Sequence, residues 1–165
     1  MRYTIAILTE NQAGVLSKIA GLFARRGYNI ESLAVGATDD NTVSRMTVVV
    51  DCEPAHIEQI EKQLNKMIPV IKVKVMEEGT YIDRELTLVK LNCNSKQRTE
   101  IMKIAEIMSA RIVDVTPVSL TLEFTDNFER TQTFLALVKP YGIRELVCTG
   151  VSVVEKGKSV LRKTL

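Results

Sequence analysis

The same order of predicted elements occurs twice along the chain: strand, helix, strand, strand, helix, strand. In each half, short runs of β-branched and apolar residues indicate strands, and apolar residues at helical spacing indicate the helices between them. Each half has about 75 residues, which lies within the size range of small single domains. The repeat therefore limits the chain to two copies of one arrangement of helices and strands.

The first copy spans residues 3–75. Its first helix ends at Gly27, because glycine suits the left-handed conformation that commonly ends a helix. The polar turn 39–42 between its two middle strands is typical of a hairpin. Pro54 suits the first turn of its second helix. The strands are predicted at 3–8, 30–38, 44–50 and 70–75, and the apolar helix positions are Val15, Leu16, Ile19, Leu22 and Phe23, then Ile57, Ile60, Leu64, Met67 and Ile68.

The second copy follows a short polar stretch at 77–80. Ser95 is predicted to cap its first helix, and Asp126 with Glu129 resembles a capping box for its second. Its strands are predicted at 86–91, 112–115, 120–124 and 146–154. Each copy would lay two helices on one face of a four-stranded antiparallel sheet. The predicted fold class is α+β, with two ferredoxin-like βαββαβ domains in tandem, at 1–77 and 83–165, joined by a linker at 78–82.

A domain of about 75 residues has a thin core. Docking onto another copy would add buried apolar surface and stabilise it. We therefore expect a homodimer or a larger assembly.

Composition argues against a polyanionic partner. The chain has 22 basic and 20 acidic residues, a net charge of +2, and 5% aromatic residues. RNA-binding domains of this fold class stack bases on aromatic side chains from their central strands, whereas Tyr28 is the only aromatic residue near the first hairpin. We expect no nucleic-acid partner, and we interpret the basic tail at 156–165 as a solvated terminus.

No set of residues in the sequence forms a catalytic or metal-binding motif. His56 is the only histidine, and the three cysteines are far apart, so neither an acid-base pair nor a metal site is predicted. The sequence has no GxGxxG motif for a dinucleotide. It also has no run of about 18 apolar residues, so we expect no signal peptide, no membrane span and a cytoplasmic protein with reduced thiols.

The turn after the first strand is the best candidate for a ligand site. It places Asn11, Ala13 and Gly14 at the start of the first helix, where backbone N–H groups lack helical partners and the helix dipole is positive. Such a terminus favours a carboxylate. Asn11 and Asn29 can each offer a donor and an acceptor to a ligand. A turn shaped only for packing is the alternative interpretation of the same residues.

The sequence from Asn11 to Leu33 contains N-x-x-G-V-L-x-x-x-x-x-L-F-x-x-R-G-Y-N-I-x-S-L. This stretch, the following TDD at 38–40 and SRMT at 44–47, QIEKQLNK at 59–66, RELTLVK at 84–90 and IVDVTP at 112–117 resemble the regulatory small subunit of acetohydroxyacid synthase, also called acetolactate synthase. The likeness covers nearly the whole chain, and its first domain resembles the ACT domain of that family. Near the C-terminus the chain departs from the family pattern, with Val147-Cys148-Thr149-Gly150 where an arginine is common.

The resemblance implies a protein with no catalytic residues of its own that binds valine or another branched-chain amino acid. In the family the effector lies between two ACT domains. Carried onto this chain, one side of the site would consist of residues from the loop and first helix, and the other side of residues from the second strand of the partner. The implied effector-binding residues are Asn11, Ala13, Gly14, Val15, Leu16, Asn29 and Ile30, with Ser17 as a lesser candidate.

The resemblance also implies a catalytic large subunit as partner. That subunit would hold thiamine diphosphate, magnesium and FAD, and this chain would hold no cofactor. Two alternatives remain open: a free-standing ACT-domain amino-acid sensor that acts on another target, and a small enzyme on the same scaffold.

Overall fold

The computed structural model describes residues 1–162, which form two compact units. Unit 1 consists of residues 1–82 together with the segment that starts at Val151, and unit 2 consists of Asp83–Gly150. Unit 2 is therefore inserted into unit 1 along the chain.

Unit 1 begins with a complete βαββαβ arrangement. Its sheet is antiparallel with the strand order β2-β3-β1-β4, so that β2 and β4 are the edge strands. The elements are β1 (Arg2–Glu10), α1 (Val15–Arg25), β2 (Ile30–Ala37), β3 (Val43–Asp51), α2 (Pro54–Asn65) and β4 (Val70–Val75).

The helices of unit 1 cover one face of this sheet, because alternate strand residues and the apolar helix stripes form one core. Phe23 of α1 and Leu64 of α2 are completely buried in it. Ile68 was predicted to extend the apolar face of α2, but α2 ends at Asn65 and Ile68 is 94% exposed. The prediction is wrong there because a residue beyond the end of the helix no longer follows the helical repeat.

Unit 2 repeats the arrangement around its own core. Its sheet has the strand order β6-β7-β5-β8, and β9 pairs with β5 off this path. The elements are β5 (Tyr81–Asn92), whose first two residues belong to unit 1, α3 (Ser95–Met108), β6 (Arg111–Val115), β7 (Ser119–Asp126), α4 (Phe128–Val138) and β8 (Ile143–Cys148), and then β9 (Ser152–Glu155), which belongs to unit 1. The fold class predicted from the sequence, two βαββαβ units in tandem, is confirmed.

The helix caps of unit 2 differ from the predicted ones by one residue each. Asn94, not Ser95, caps α3, and its side chain accepts hydrogen bonds from the N–H groups of Lys96 and Gln97. Asn127 caps α4 by accepting from the N–H of Arg130 at 2.9 Å. Asn at the cap position is as effective as Ser or Asp, so the sequence pattern alone did not separate neighbouring candidates.

The end of the chain departs most from the sequence prediction. The strand predicted at 146–154 is two strands, β8 and β9, separated at Gly150, whose φ of +84° turns the chain. Unit 2 accordingly ends at Gly150, whereas the sequence analysis assigned 83–165 to the second domain. The prediction of a solvated basic tail is wrong at Leu161, which is 6% exposed; its last three residues, 163–165, lie outside the described residues.

The segment Val151–Arg162, which we call the C-terminal strap, lies on the face of the first sheet opposite the helices. Its three buried apolar residues complete a second apolar cluster of unit 1 with outward-facing strand residues. The members of the cluster are Ala6, Leu8, Val43, Val49, Met76, Val151, Val153 and Leu161. Both faces of the first sheet are therefore in contact with other parts of unit 1. Within residues 1–162, no helix is long and apolar enough to cross a membrane.

Candidate functional site at the start of the first helix

The loop between β1 and α1 presents an uncapped helix start. Gly14 is the N-cap residue of α1, with φ of +84°, and neither a side-chain cap nor an acidic residue lies in the first turn. By contrast, Asn94 and Asn127 cap α3 and α4 with their side chains. The positive φ explains why glycine stands at position 14, since other residues rarely adopt it. The first turn of α1 therefore offers backbone donors to an anion from outside the chain.

Asn11 fixes this loop to the turn between β2 and β3. Its backbone N–H donates to the carbonyl of Thr42 at 2.7 Å, and its side-chain Nδ2 donates to the carbonyl of Asn41 at 2.8 Å. The turn itself is held by the Asp40 carboxylate, whose Oδ1 accepts from the N–H and the hydroxyl of Thr42. Asn11 therefore holds the helix start in place with two hydrogen bonds, one from its side chain and one from its backbone.

The loop residues differ in what they can offer a ligand. Ala13, Gly14 and Ser17 are exposed, and Leu16 is 41% exposed. The side chain of Val15, by contrast, is 4% exposed and belongs to the core of unit 1. Val15 can therefore contribute through its backbone N–H, while Leu16 can contribute apolar surface.

Asn29 and Ile30 lie at the opposite end of the same sheet. Ile30 pairs with Val50 at one end of β3, and Glu10, the last residue of β1, pairs with Val43 at the other end. The two positions are seven residue steps apart along β3, from Val43 to Val50, which corresponds to about 23 Å. Within one chain, the structure brings Asn11, Ala13, Gly14, Val15 and Leu16 together, and it does not bring Asn29 and Ile30 to them.

Arg45 and Ser32 contact the C-terminal strap, and the sequence analysis did not select them as site residues. Alternate residues of a strand point to opposite faces of the sheet, and the strand register places the side chains of Ser32 and Arg45 on the outer face of the first sheet. This alternation is the sequence signal that could have identified them. A cavity of about 240 Å³ on this face is lined by Ala34, Val35, Gly36, Ala37, Arg45, Thr47, Ser152 and Val153. Partial burial lowers the pKa of Arg45 from its usual value.

The remaining reactive side chains are dispersed. His56 packs against Tyr28, with 5.4 Å between the ring centroids. Cys52 is half-buried, Cys93 is buried and Cys148 is exposed, and all three are free thiols. Among residues 1–162, no three His, Cys, Asp or Glu side chains form a group that could hold a metal ion.

Comparison with known proteins assigns the two halves of the chain to one family. Residues 5–72 match the ACT domain of the small-subunit type found in acetohydroxyacid synthase, and residues 84–157 match the family described as the small subunit of acetolactate synthase. The acetolactate synthase small subunit of Mycolicibacterium smegmatis is 44% identical over 155 residues, covering 94% of this chain and 91% of that protein. The small subunit of Mycobacterium leprae is 43% identical, covering 94% and 92%. The chain belongs to the acetolactate synthase small-subunit family.

A solved structure agrees with this membership. The acetolactate synthase small subunit of Thermotoga maritima is 30% identical to this chain, with a TM-score of 0.87, and the match covers 96% of this chain and 99% of that one. The family resemblance predicted from the sequence is confirmed. The ACT match contains all seven predicted effector residues, and the second match extends beyond Gly150 into the C-terminal strap.

Proposed function

We propose that this chain is the non-catalytic regulatory subunit of an acetolactate synthase. It binds the catalytic large subunit and raises its activity, and it lowers that activity when a branched-chain amino acid such as valine binds between two ACT domains. The thiamine diphosphate, magnesium and FAD of the reaction belong to the catalytic subunit. Membership of the small-subunit family supports the role, and the uncapped start of α1 supports the effector site.

The two groups of predicted effector residues lie about 23 Å apart within one chain, and this distance supports a site formed by two copies. A free valine is far shorter than this distance, so one molecule cannot contact both groups within one chain. A second copy removes the difficulty if it supplies Asn29 and Ile30. A site at the interface of two ACT domains therefore follows from the strand register once both groups are required.

The edge strand β2 gives a geometry for this dimer. If two β2 strands pair antiparallel about a two-fold axis that passes between Leu33 and Ala34, the middle of the strand, Ala37 of one chain lies opposite Ile30 of the partner subunit. Ala37 pairs with Ser44, beside the Val43–Glu10 pair where the effector loop begins. The pairing thus carries Ile30 of the partner subunit to the end of the sheet where α1 starts. The same axis keeps the helices of both copies on one face of a continuous sheet.

Each part of an amino acid has a fitting group in such a site. The carboxylate accepts hydrogen bonds from the first-turn N–H groups of α1. The ammonium group donates to amide oxygens such as those of Asn11 and, across the dimer, Asn29 of the partner subunit. The half-exposed Leu16 and, across the dimer, Ile30 of the partner subunit provide apolar surface for a branched side chain. A lysine side chain would leave its charge against that apolar surface, which disfavours it.

Regulation requires that the effector bind one arrangement of the dimer better than another, because equal affinity shifts no equilibrium. The coupling to the catalytic subunit is then a free energy of typically ~1–3 kcal/mol. For binding steps the coupling is reciprocal. The catalytic subunit changes the affinity of this chain for valine by the same factor by which valine changes the affinity of this chain for the catalytic subunit.

The experiment that tests the function has two arms. Isothermal titration of the full chain with valine, leucine and isoleucine is expected to give saturable heat, whereas lysine gives none. Affinity purification with the large subunit of the same organism is expected to yield a complex whose synthase activity exceeds that of the large subunit alone and falls when valine is added. Saturable heat with the branched-chain amino acids but no complex with the large subunit would identify a free-standing sensor. A complex whose synthase activity does not change with any of the three amino acids would overturn the feedback role.

A further inference from the structure

Buried apolar residues hold the C-terminal strap on the outer face of the first sheet. Val151, Val153 and Leu161 are buried there against Leu8 and Val49. The turn Lys156–Lys158 between them is exposed. With only three buried apolar side chains, the strap is a segment that can open locally at much lower cost than the whole of unit 1 unfolds.

Backbone groups at the start of the strap are hydrogen-bonded to two different strands. The N–H of Val151 donates to the hydroxyl oxygen of Ser32 in β2 at 2.9 Å. The Arg45 guanidinium in β3 donates from Nη2 to the carbonyl of Val153 at 2.8 Å. Further along, the N–H of Lys156 donates to the carbonyl of Thr80 at 2.9 Å. These contacts fix the strap in one position across the sheet.

Glu155 closes the arrangement with an ion pair in which its carboxylate is covered and the Lys74 side chain is 41% exposed. The Glu155 side chain is 5% exposed and is paired with Lys74 of β4. The Ser159 hydroxyl donates to Glu155 Oε1 at 2.7 Å, and the positive charge of Arg45 adds attraction. A carboxylate that is so well covered and accepts two hydrogen bonds is favourable only while the strap is seated.

The contacts of the strap lie near both ends of the first sheet. The predicted effector residues lie at the same two ends. Ser32 comes two residues after Ile30, at the start of β2. Arg45 pairs with Leu8 and Gly36, next to the end at which the effector loop begins. In addition, Val151 is the first residue after unit 2, so the strap is the segment by which the chain returns from unit 2 to unit 1.

We propose that the C-terminal strap is a coupling element whose seating on the first sheet responds to effector occupancy. Binding of an amino acid that holds the β1–α1 loop and the start of β2 in place favours the seated strap, and an empty site lets it open more often. The seated and open forms are the two states that the effector and the partner both bias. This inference rests on the effector site proposed above and deepens it.

Trypsin can measure strap opening, because a protease binds several residues on each side of the cut bond in extended form, so cleavage after the exposed Lys156 or Lys158 requires the buried Val153 and Leu161 to leave the sheet. When opening and closing are fast, the cleavage rate follows the population of the open form. Intact mass spectrometry of the full chain would follow loss of the C-terminal peptide with and without saturating valine. We expect valine to slow this cleavage by about fivefold, at the lower end of typical coupling, while cuts within unit 2 keep their rate.

A matched pair of variants separates strap seating from general loss of charge. Glu155→Gln removes the ion pair with Lys74 and is expected to speed cleavage by about fivefold without valine. Glu145→Gln removes the exposed Lys90–Glu145 pair of unit 2, at 3.8 Å, and is expected to leave the rate unchanged. Equal acceleration by both variants, or none by Glu155→Gln, would overturn the role assigned to the pair.

Titration of the same wild-type sample with valine distinguishes failure of this inference from failure of the effector site. Heat together with slowed cleavage supports both. Heat with an unchanged cleavage rate overturns the coupling by the strap and leaves the effector site standing. Absence of heat with valine, leucine and isoleucine overturns the effector site and the coupling that rests on it.

Discussion

The substitution Gly14→Asp is expected to weaken effector binding while the fold stays intact. Gly14 has φ of +84°, and a Cβ added there meets no heavy atom within 4 Å. The cost to folding is therefore conformational strain alone, about 1 kcal/mol, and an acidic residue at a helix start offsets part of it. For a chain of this size, that corresponds to a drop in Tm of about 2–4 °C.

The effect on binding is larger because the new carboxylate lies where the effector carboxylate would bind. Two like charges about 4 Å apart repel by roughly 1 kcal/mol in water and roughly 4 kcal/mol near a protein surface. The affinity for valine should fall by between about fivefold and about a thousandfold. Isothermal titration measures the affinity, and circular dichroism during heating measures the stability.

Two control variants make the test specific. Gly79→Asp introduces the same residue at a position with nearly the same φ, +82°, and equally open surroundings, away from the β1–α1 loop. It should lose similar stability and keep its affinity for valine. Gly14→Ala separates the added bulk from the added charge. A valine affinity of Gly14→Asp within twofold of wild type would refute the placement of the carboxylate at this helix start.

Three further results are expected. Phe134→Ala removes a completely buried ring that stacks on Phe124, with 4.5 Å between the ring centroids. It should lower the free energy of unfolding of unit 2 by about 3–5 kcal/mol, measured by chemical denaturation. A loss below about 1 kcal/mol would contradict this packing. The hydrogen bonds from Lys74 and Ser159 lower the pKa of Glu155 below its usual 4.5, so strap seating should persist above that pH and fail as pH falls through the lower folded pKa. Hydrogen exchange of the strap amides at a series of acidic pH values, compared with Glu155→Gln, checks it, and equal pH profiles would refute it. Cys148 is exposed, whereas burial raises the pKa of the Cys52 thiol. Iodoacetamide at neutral pH should therefore modify Cys148 before Cys52, and peptide mass spectrometry measures the order. Faster labelling of Cys52 would refute this expectation.

Most of the fold follows from local patterns in the sequence. The β-branched and apolar runs of β1 and β3 and the helical spacing from Val15 to Phe23 predict elements that the structure contains, because each pattern is local to the element that it predicts. The prediction failed at Ile68, where the helix ends before the apolar pattern does. It also chose the neighbouring residue as cap for α3 and α4, since Asn, Ser and Asp serve equally well.

The strap could not be predicted because its environment is made by residues far away in the sequence, such as Lys74, 81 positions from Glu155, and Ser32, 119 positions from Val151. Val151 and Val153 alternate as any strand would, and Leu161 stands in a basic tail, so no local signal shows that both contact the first sheet. The candidate site is similar in this respect. The sequence places Asn11 and Gly14 at a helix start, but only the strand register shows that Ile30 lies at the far end of the sheet.

The insertion of unit 2 into unit 1 also determines when the first unit can be completed during synthesis. The N-terminal βαββαβ part leaves the ribosome before the roughly seventy residues of unit 2 and the strap that covers Leu8 and Val49. At about 5–20 residues per second, that apolar face stays bare for several seconds on every nascent chain. The first sheet therefore depends on residues made after unit 2 to cover a surface formed by strands made before it, and this interval is when chaperones or an early-binding partner would have most to protect.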